Sequence, residues 1–405
     1  VAPAPYRWTI LAVGVGAQGA LAGMQQGLPV LGPELREAYG LSLGEVGAVL
    51  ASVSWGVMFT LLMWGWLADR IGERTVIAVG LGGAALALVG ATAAPSLGWL
   101  VAGLLAAGAM GGSASAASGR AVMGWFGRSE RGFALGIRQM SVPMGGALSA
   151  VLLPLFAGVD GALIALAVAC AAGSLAAVAW IREPPPAPAG RPVAGAPAPL
   201  RDPRVWRLSV GSGLFVCAQV AVLSFTVLFL HDHREVSVGT AAAMLAAMQV
   251  AGGLARIVVG RRSDRLGRRV LPLRRHALAC AMALLATAAL ADAPLAILFP
   301  LLLFTGVLTM SWNSLSFTAA AEMAGRERAG TALGLQGTVM RFVSSGAGFG
   351  FGALVAATSW QAGFALLALM PLAGWWLFRP LVGEEVERLL ARERRLQAAA
   401  AAEVV

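Results

Sequence analysis

The sequence predicts an all-α membrane protein, with twelve transmembrane helices in two pseudo-symmetric six-helix bundles and both termini on the cytoplasmic side. Three observations carry this. The 405 residues are 58% hydrophobic and only 12% charged, with a mean hydropathy of +0.76, well outside the range of soluble globular domains. Apolar runs of about 20 residues, enough to cross a hydrocarbon layer of about 30 Å, recur along the whole length. The second six runs then repeat landmarks of the first six after a proline-rich break.

The first run, 8–31, opens at Trp8 without the charged n-region and small-residue cleavage site of a secretory signal, so a retained helix is expected. Runs at 43–67, 75–94, 97–122, 133–157 and 161–181 complete the first bundle, separated by short charged or Pro/Gly-bearing breaks. Runs at 206–230, 239–260, 275–292, 294–321, 329–354 and 359–379 form the second. Each is continuous and rich in Ala, Leu, Gly and Val, whereas barrel strands would be about ten residues long and alternate in polarity. The many glycines suit close helix packing in lipid. The expected domains are a bundle over 1–181, a linker over 182–205, a bundle over 206–382 and a cytoplasmic tail over 383–405. The linker carries eight prolines and no apolar periodicity, which makes it an extended connection. The tail is a charged amphipathic pattern with Glu384 four residues before Arg388, suited to a solvated helix or one resting on headgroups.

A net charge of +10 would suit nucleic acid, but its distribution follows a membrane. All 30 basic residues are arginine. Arg36 and Arg234 fall on the outer side, Arg120, Arg138, Arg256 and Arg341 fall inside helices, and the rest lie on the side of the termini. The positive-inside rule makes that side cytoplasmic and the protein a multi-pass inner-membrane one, with the bilayer and not nucleic acid as its partner. Cys170, Cys217 and Cys280 sit in separate apolar helices at no metal or redox spacing and read as packing. His231-Asp232-His233, in an outer loop, lacks further ligands nearby. No metal and no cofactor is expected, and neither is an enzyme, because no cluster of nucleophile, base or metal ligands shares a membrane depth.

Sliding the halves over each other aligns GWLADRIGER at 65–74 with GRRSDRLGRR at 260–269, ERGFALG at 130–136 with ERAGTALG at 327–334, and the Ala-Gln of Gln18 with that of Gln219. These are the marks of an internal repeat. Gly65, Leu67, Asp69, Arg70, Gly72 and Arg74 resemble the G-x-L-A-D-R-x-G-x-R signature of the major facilitator superfamily, and Gly260, Asp264, Arg265, Gly267 and Arg269 repeat it. Glycine serves a tight turn, and an aspartate there can face the positive N-terminal end of a neighbouring helix. The resemblance implies that this neighbour belongs to the opposite half, and that the contact latches the cytoplasmic side shut and breaks when the halves rock. It therefore implies a secondary active transporter working by alternating access, expected as a monomer, and assigns these residues to gating.

Ionisable groups within the bilayer are expensive and mark function. No acidic residue falls near a helix midpoint; Glu45 starts the second run at its outer end and Glu322 closes the tenth at its inner end. The mid-membrane carboxylate of proton-coupled sugar and drug transporters of the superfamily is missing. Arginines without such partners suit a negatively charged substrate, which guanidinium holds with two parallel hydrogen bonds. Arg341, about twelve residues or about 18 Å into the eleventh helix, is near mid-bilayer; structural pairing with backbone carbonyls is its alternative. Arg256, in the eighth helix, is similar in place to an arginine of the anion-transporting branches, with snorkelling to the cytoplasm as its alternative. The resemblance implies that Gln18 and Gln219 line the central cavity; Asn313 is a further candidate for substrate contact, with interhelical hydrogen bonding as its alternative, and Trp312 a candidate cavity wall, with packing or lipid contact as its equal alternative. Arg120 and Arg138, near inner helix ends, are expected to gate or to serve as packing charges, with direct substrate binding as their alternative; Arg120 begins the R-x-x-x-G core of the superfamily's fourth-helix motif.

Two transport functions remain open from sequence. One moves a small organic or inorganic anion, by exchange or with a coupling ion. The other exports drugs or amphipathic compounds, which GIRQMSVPMGG at 136–146 favours through its partial similarity to the exporters' G-P-x-x-G-G motif. SSGAGFGFG at 344–352 lacks the asparagine of the nitrate signature, which disfavours nitrate.

Overall fold

The computed structural model describes residues 5–184 and 198–402, and every regular element among them is helical. The N-terminal half holds α1 (Tyr6–Ala22), α2 (Leu43–Ile71), α3 (Glu73–Thr92), α4 (Leu97–Trp125), α5 (Arg131–Leu152) and α6 (Gly158–Trp180). The C-terminal half holds α7 (Pro203–Leu228), α8 (Val238–Leu266), α9 (Val270–Ala289), α10 (Leu295–Ala324), α11 (Arg326–Ala357) and α12 (Trp360–Glu387). Among the described residues ten of these are long and apolar enough to cross a membrane. The exceptions are α1, whose α-helical stretch is 17 residues before a π-helical turn at Gly23–Gly27, and α5, which carries Arg131, Arg138 and Pro143.

Several boundaries differ from expectation for local reasons. The first run does not continue as one helix to residue 31: after the π turn come a 3-10 turn over Leu28–Leu31 and a short helix over Gly32–Tyr39, stopped by Gly40 at φ 63°. Ser42 and Glu45 then start α2 with a capping box, the Glu45 carboxylate accepting from Ser42 N at 2.8 Å. At their far ends α2 and α8 run past residues 67 and 260. Nothing in GWLADRI or GRRSDRL stops a helix before Gly72 (φ 83°) and Gly267 (φ 63°). Asp69 and Asp264 therefore sit on the last helical turns rather than in the loops. Residues 185–197 of the expected linker lie outside the described residues; its end is ordered, with Asp202 capping α7 by accepting from Arg204 N at 2.9 Å. In the tail, the expected pairing of Glu384 with Arg388 lies outside the described side chains. Glu385 instead caps α9, its carboxylate accepting from the N–H groups of Arg269, Val270 and Leu271 at 2.5–3.0 Å.

One hydrophobic core is drawn wholly from residues between Val13 and Ile181, another wholly from residues between Leu208 and Leu381. The halves meet chiefly where α2 packs on α11 and α5 on α8. Both crossings are backbone on backbone. A Cβ at Gly65 would strike the Gly330 carbonyl, and one at Gly260 the Gly132 carbonyl, so only glycine permits the approach.

Candidate functional site

Each crossing ends in the same device. The Asp69 carboxylate, on the last turn of α2, accepts from Gly330 N at 2.9 Å and Thr331 N at 2.7 Å, and from the Thr331 hydroxyl at 2.6 Å. The Asp264 carboxylate, on the last turn of α8, accepts from Gly132 N at 2.9 Å and Phe133 N at 2.7 Å. These N–H groups belong to the first turns of α11 and α5, which have no side-chain cap of their own. Each aspartate thus caps a helix of the opposite half, adding two hydrogen bonds and a favourable charge at the positive end of a helix dipole.

The guanidinium that completes each device comes from a different place. Arg120 of α4 donates to Asp69 at 2.8 Å and forms an ion pair with Glu73 at 2.5 Å. At the other crossing Arg269, from the turn before α9, pairs with Asp264 at 2.6 Å and donates to Ser263, to the Arg128 carbonyl and to Glu322 at 2.7–3.3 Å. Four residues expected to gate are placed elsewhere. Arg70 lies over the Trp66 ring at 3.9 Å, and Arg74 and Arg265 are exposed with no ion pair among the described residues. Arg138 is buried deep in the N-terminal half. The signature's arginines were grouped by spacing, but one face of a helix end points at the partner and the other at water. Glu73, Glu322 and Thr331 were missed as members, although adjacency to the repeated motifs marks Glu73 and Thr331.

The interior arginines differ in how far their donors are used. Arg138, 2% exposed, donates from Nε to Ser118 at 2.8 Å, from one terminal nitrogen to Gln139 at 2.8 Å, and from the other to Gln18 at 2.8 Å and to the Ser115 carbonyl. Arg256, equally buried, bridges two irregularities. Pro143 has no N–H for the Gln139 carbonyl four residues back, and that carbonyl accepts from Arg256 at 2.6 Å across the halves. Where α10 breaks at Ser311–Trp312, three successive carbonyls are taken by side chains: Leu308 by His276 at 2.7 Å, Thr309 by the Trp312 indole at 2.8 Å and Met310 by Arg256 Nε at 2.8 Å. Irregular backbone within a membrane requires such partners. Arg341 is the contrast. It is half-buried beside the α2–α11 seam and, among the described residues, donates only to the Gly337 carbonyl one turn back at 3.4 Å and has no ion pair.

The remaining candidates separate. Gln18 is engaged by Arg138, while Gln219 is half-buried without a hydrogen bond among the described residues. Trp312, a candidate cavity wall or packing residue, is fully buried and stacks on Phe215 at 5.2 Å; the helix break turns it into the core of its own half, which is the packing reading. Asn313 Oδ1 and Gln336 Oε1 are buried without a donor, Gln336 donating to Ser316 at 2.6 Å.

Comparisons with known proteins agree with this architecture. A profile described as Major Facilitator Superfamily matches residues 15–349. An uncharacterized MFS-type transporter of Mycobacterium tuberculosis (strain ATCC 25618 / H37Rv) is 34% identical over 371 residues, covering 91% of this chain and 83% of that protein. The human organic anion transporter MFSD10 (TETRAN) superimposes with a TM-score of 0.73 at 18% identity, covering 92% of this chain and 99% of that one. The Escherichia coli fucose:proton symporter FucP superimposes with a TM-score of 0.70 at 15% identity, covering 91% and 97%.

Proposed function

Because the chain belongs to the Major Facilitator Superfamily and is a multi-pass membrane transporter, we propose that its cargo is a small organic or inorganic anion, bound at Arg341. The observation that carries this is the state of that side chain. A guanidinium has five donors and stays charged, and burial of such a group without partners is strongly unfavourable. Arg138 donates from all three of its nitrogens to protein oxygens and Arg256 from two of its three, across the halves and to the break in α10; among the described residues Arg341 donates once, at 3.4 Å. A carboxylate or similar oxyanion supplies the missing acceptors. The fold likenesses do not select a cargo, since the same architecture serves an organic anion transporter and a fucose symporter.

In this reading all twelve helices span the inner membrane, both termini are cytoplasmic, and the carrier works as a monomer by rocking its halves about the α2–α11 and α5–α8 seams. The two trans caps hold the terminus side closed, with Gly65, Asp69, Gly72, Gly260, Asp264, Gly267, Arg120 and Arg269 as the gate. Arg256 is a tether between the halves and not a ligand, because its bond to Gln139 must break when that side opens. The test is binding of a panel of carboxylates and of cationic dyes to the wild type and to Arg341→Gln. Loss of carboxylate binding in the variant is the expected result. Carboxylate binding that survives the substitution overturns the reading, and dye binding in its place supports drug export.

A further inference from the structure

Away from the seams, α1 and α6 do not close against each other along the half of their length nearest the chain terminus. They leave an apolar groove of about 430 Å³ lined by small residues, among them Thr9, Ala12, Gly16, Ala172 and Ala176, with Trp180 at its mouth. On α1 it runs from Thr9 to Ala17 and on α6 from Ala169 to Trp180, roughly 12 and 16 Å at 1.5 Å per residue. That is the depth of one leaflet, about 15 Å of hydrocarbon. Ala12, Gly16, Ala169 and Ala172 are exposed, and a Cβ on Gly16 would meet nothing within 4 Å.

The mouth is polar and positively charged. The Tyr6 hydroxyl donates to the Trp180 carbonyl at 2.6 Å, and the Arg182 guanidinium lies over the Tyr6 ring at 4.6 Å. This holds an exposed cation beside the point where the groove meets the headgroup layer. Arg7, its neighbour in sequence to Tyr6, is neutralised by Glu130 at 2.6 Å, whereas Arg182 makes no ion pair among the described residues, with Glu183 or any other carboxylate. The aromatic residues at this depth suit the interface, and an uncompensated arginine there attracts anionic lipid.

We propose that this groove is a binding site for one anionic glycerophospholipid of the leaflet on the side of the chain termini. One acyl chain fills the groove between α1 and α6, and the phosphate sits at Arg182. The chain replaces side chains that the small residues do not supply, and the charge selects the headgroup.

The experiment is native mass spectrometry of the full-length protein in detergent, titrated with phosphatidylglycerol and separately with phosphatidylcholine of the same chains. The wild type is expected to retain one phosphatidylglycerol with at least fivefold preference over phosphatidylcholine. Gly16→Leu combined with Ala172→Leu fills the groove and is expected to weaken both lipids at least tenfold. Arg182→Gln is expected to bring phosphatidylglycerol down to the level of phosphatidylcholine without abolishing binding. Equal retention by the filled variant and the wild type, or no headgroup preference in the wild type, overturns the proposal. Should the double variant not fold, Gly16→Leu alone decides it, since that position is open.

Discussion

Arg138 and Arg341 sit on helices that the internal repeat makes equivalent, yet one is saturated and the other almost free. Counting from the glycines whose N–H groups are capped in trans, Arg138 lies six residues after Gly132 and its counterpart six after Gly330 is Gln336. Both bond a serine of the helix before them, Ser118 and Ser316. Eleven residues after the same glycines come Pro143 and Arg341. The N-terminal half thus places its charge inside its own core, surrounded by Gln18, Gln139 and Ser118, and leaves a proline where the C-terminal half places an arginine at the seam. Burial alone does not mark a ligand site. What separates the two arginines is how many of their donors the protein already satisfies.

Substitutions can break this contrast in order of expected effect. Arg138→Met orphans the oxygens of Gln18, Gln139 and Ser115 and should lower stability by about 3 kcal/mol, read as a fall in the thermal midpoint in detergent. Arg341→Gln should leave that midpoint within about 0.5 kcal/mol of the wild type. It should weaken carboxylate binding by about 2 kcal/mol, on the order of 30-fold. If the two variants exchange phenotypes, the assignment of core and site is reversed. Asp69→Asn keeps a hydrogen-bonding shape but removes the charge from the start of α11 and from Arg120. It should shift the population toward the state open on the terminus side by about 1 kcal/mol, roughly fivefold, seen as longer spin-label distances across α2 and α11. Asp264→Asn should do the same across α5 and α8. Pro143→Ala supplies an N–H for the Gln139 carbonyl, which then competes with Arg256; a shift of only about 0.5 kcal/mol in the same measurement is expected.

The proposed gate was more legible in the sequence than the proposed substrate site. Repetition of Gly, Asp and Gly at fixed spacing reports a backbone crossing and a cap, and both need those residue types wherever the helices go. The sequence grouped Arg120 and Arg269 with the other signature arginines and did not separate the two that join the caps, Arg120 from α4 and Arg269 from the turn before α9. The exposed Arg70, Arg74 and Arg265 carry the same signature without the contact. Within the bilayer, the sequence ranked Arg341 and Arg256 above Arg138 by their depth and by the resemblance, but it could not show how many acceptors each one meets. Whether Trp312 walls a cavity or packs stayed open in the sequence because a break at Ser311–Trp312 has no glycine or proline to announce it.

The sequence by itself determined that the chain is helical, membrane-embedded and built from a repeated unit, because hydropathy, continuous apolar runs and recurring glycine and aspartate positions are local properties. Only the tertiary structure decided which polar groups meet. Arg256 joins the halves because Pro143 and the break in α10 free two carbonyls within its reach, and among the described residues Arg341 meets no acceptor but the Gly337 carbonyl of its own helix. A buried donor's role is set by what else arrives at the same place, and that depends on how the helices cross.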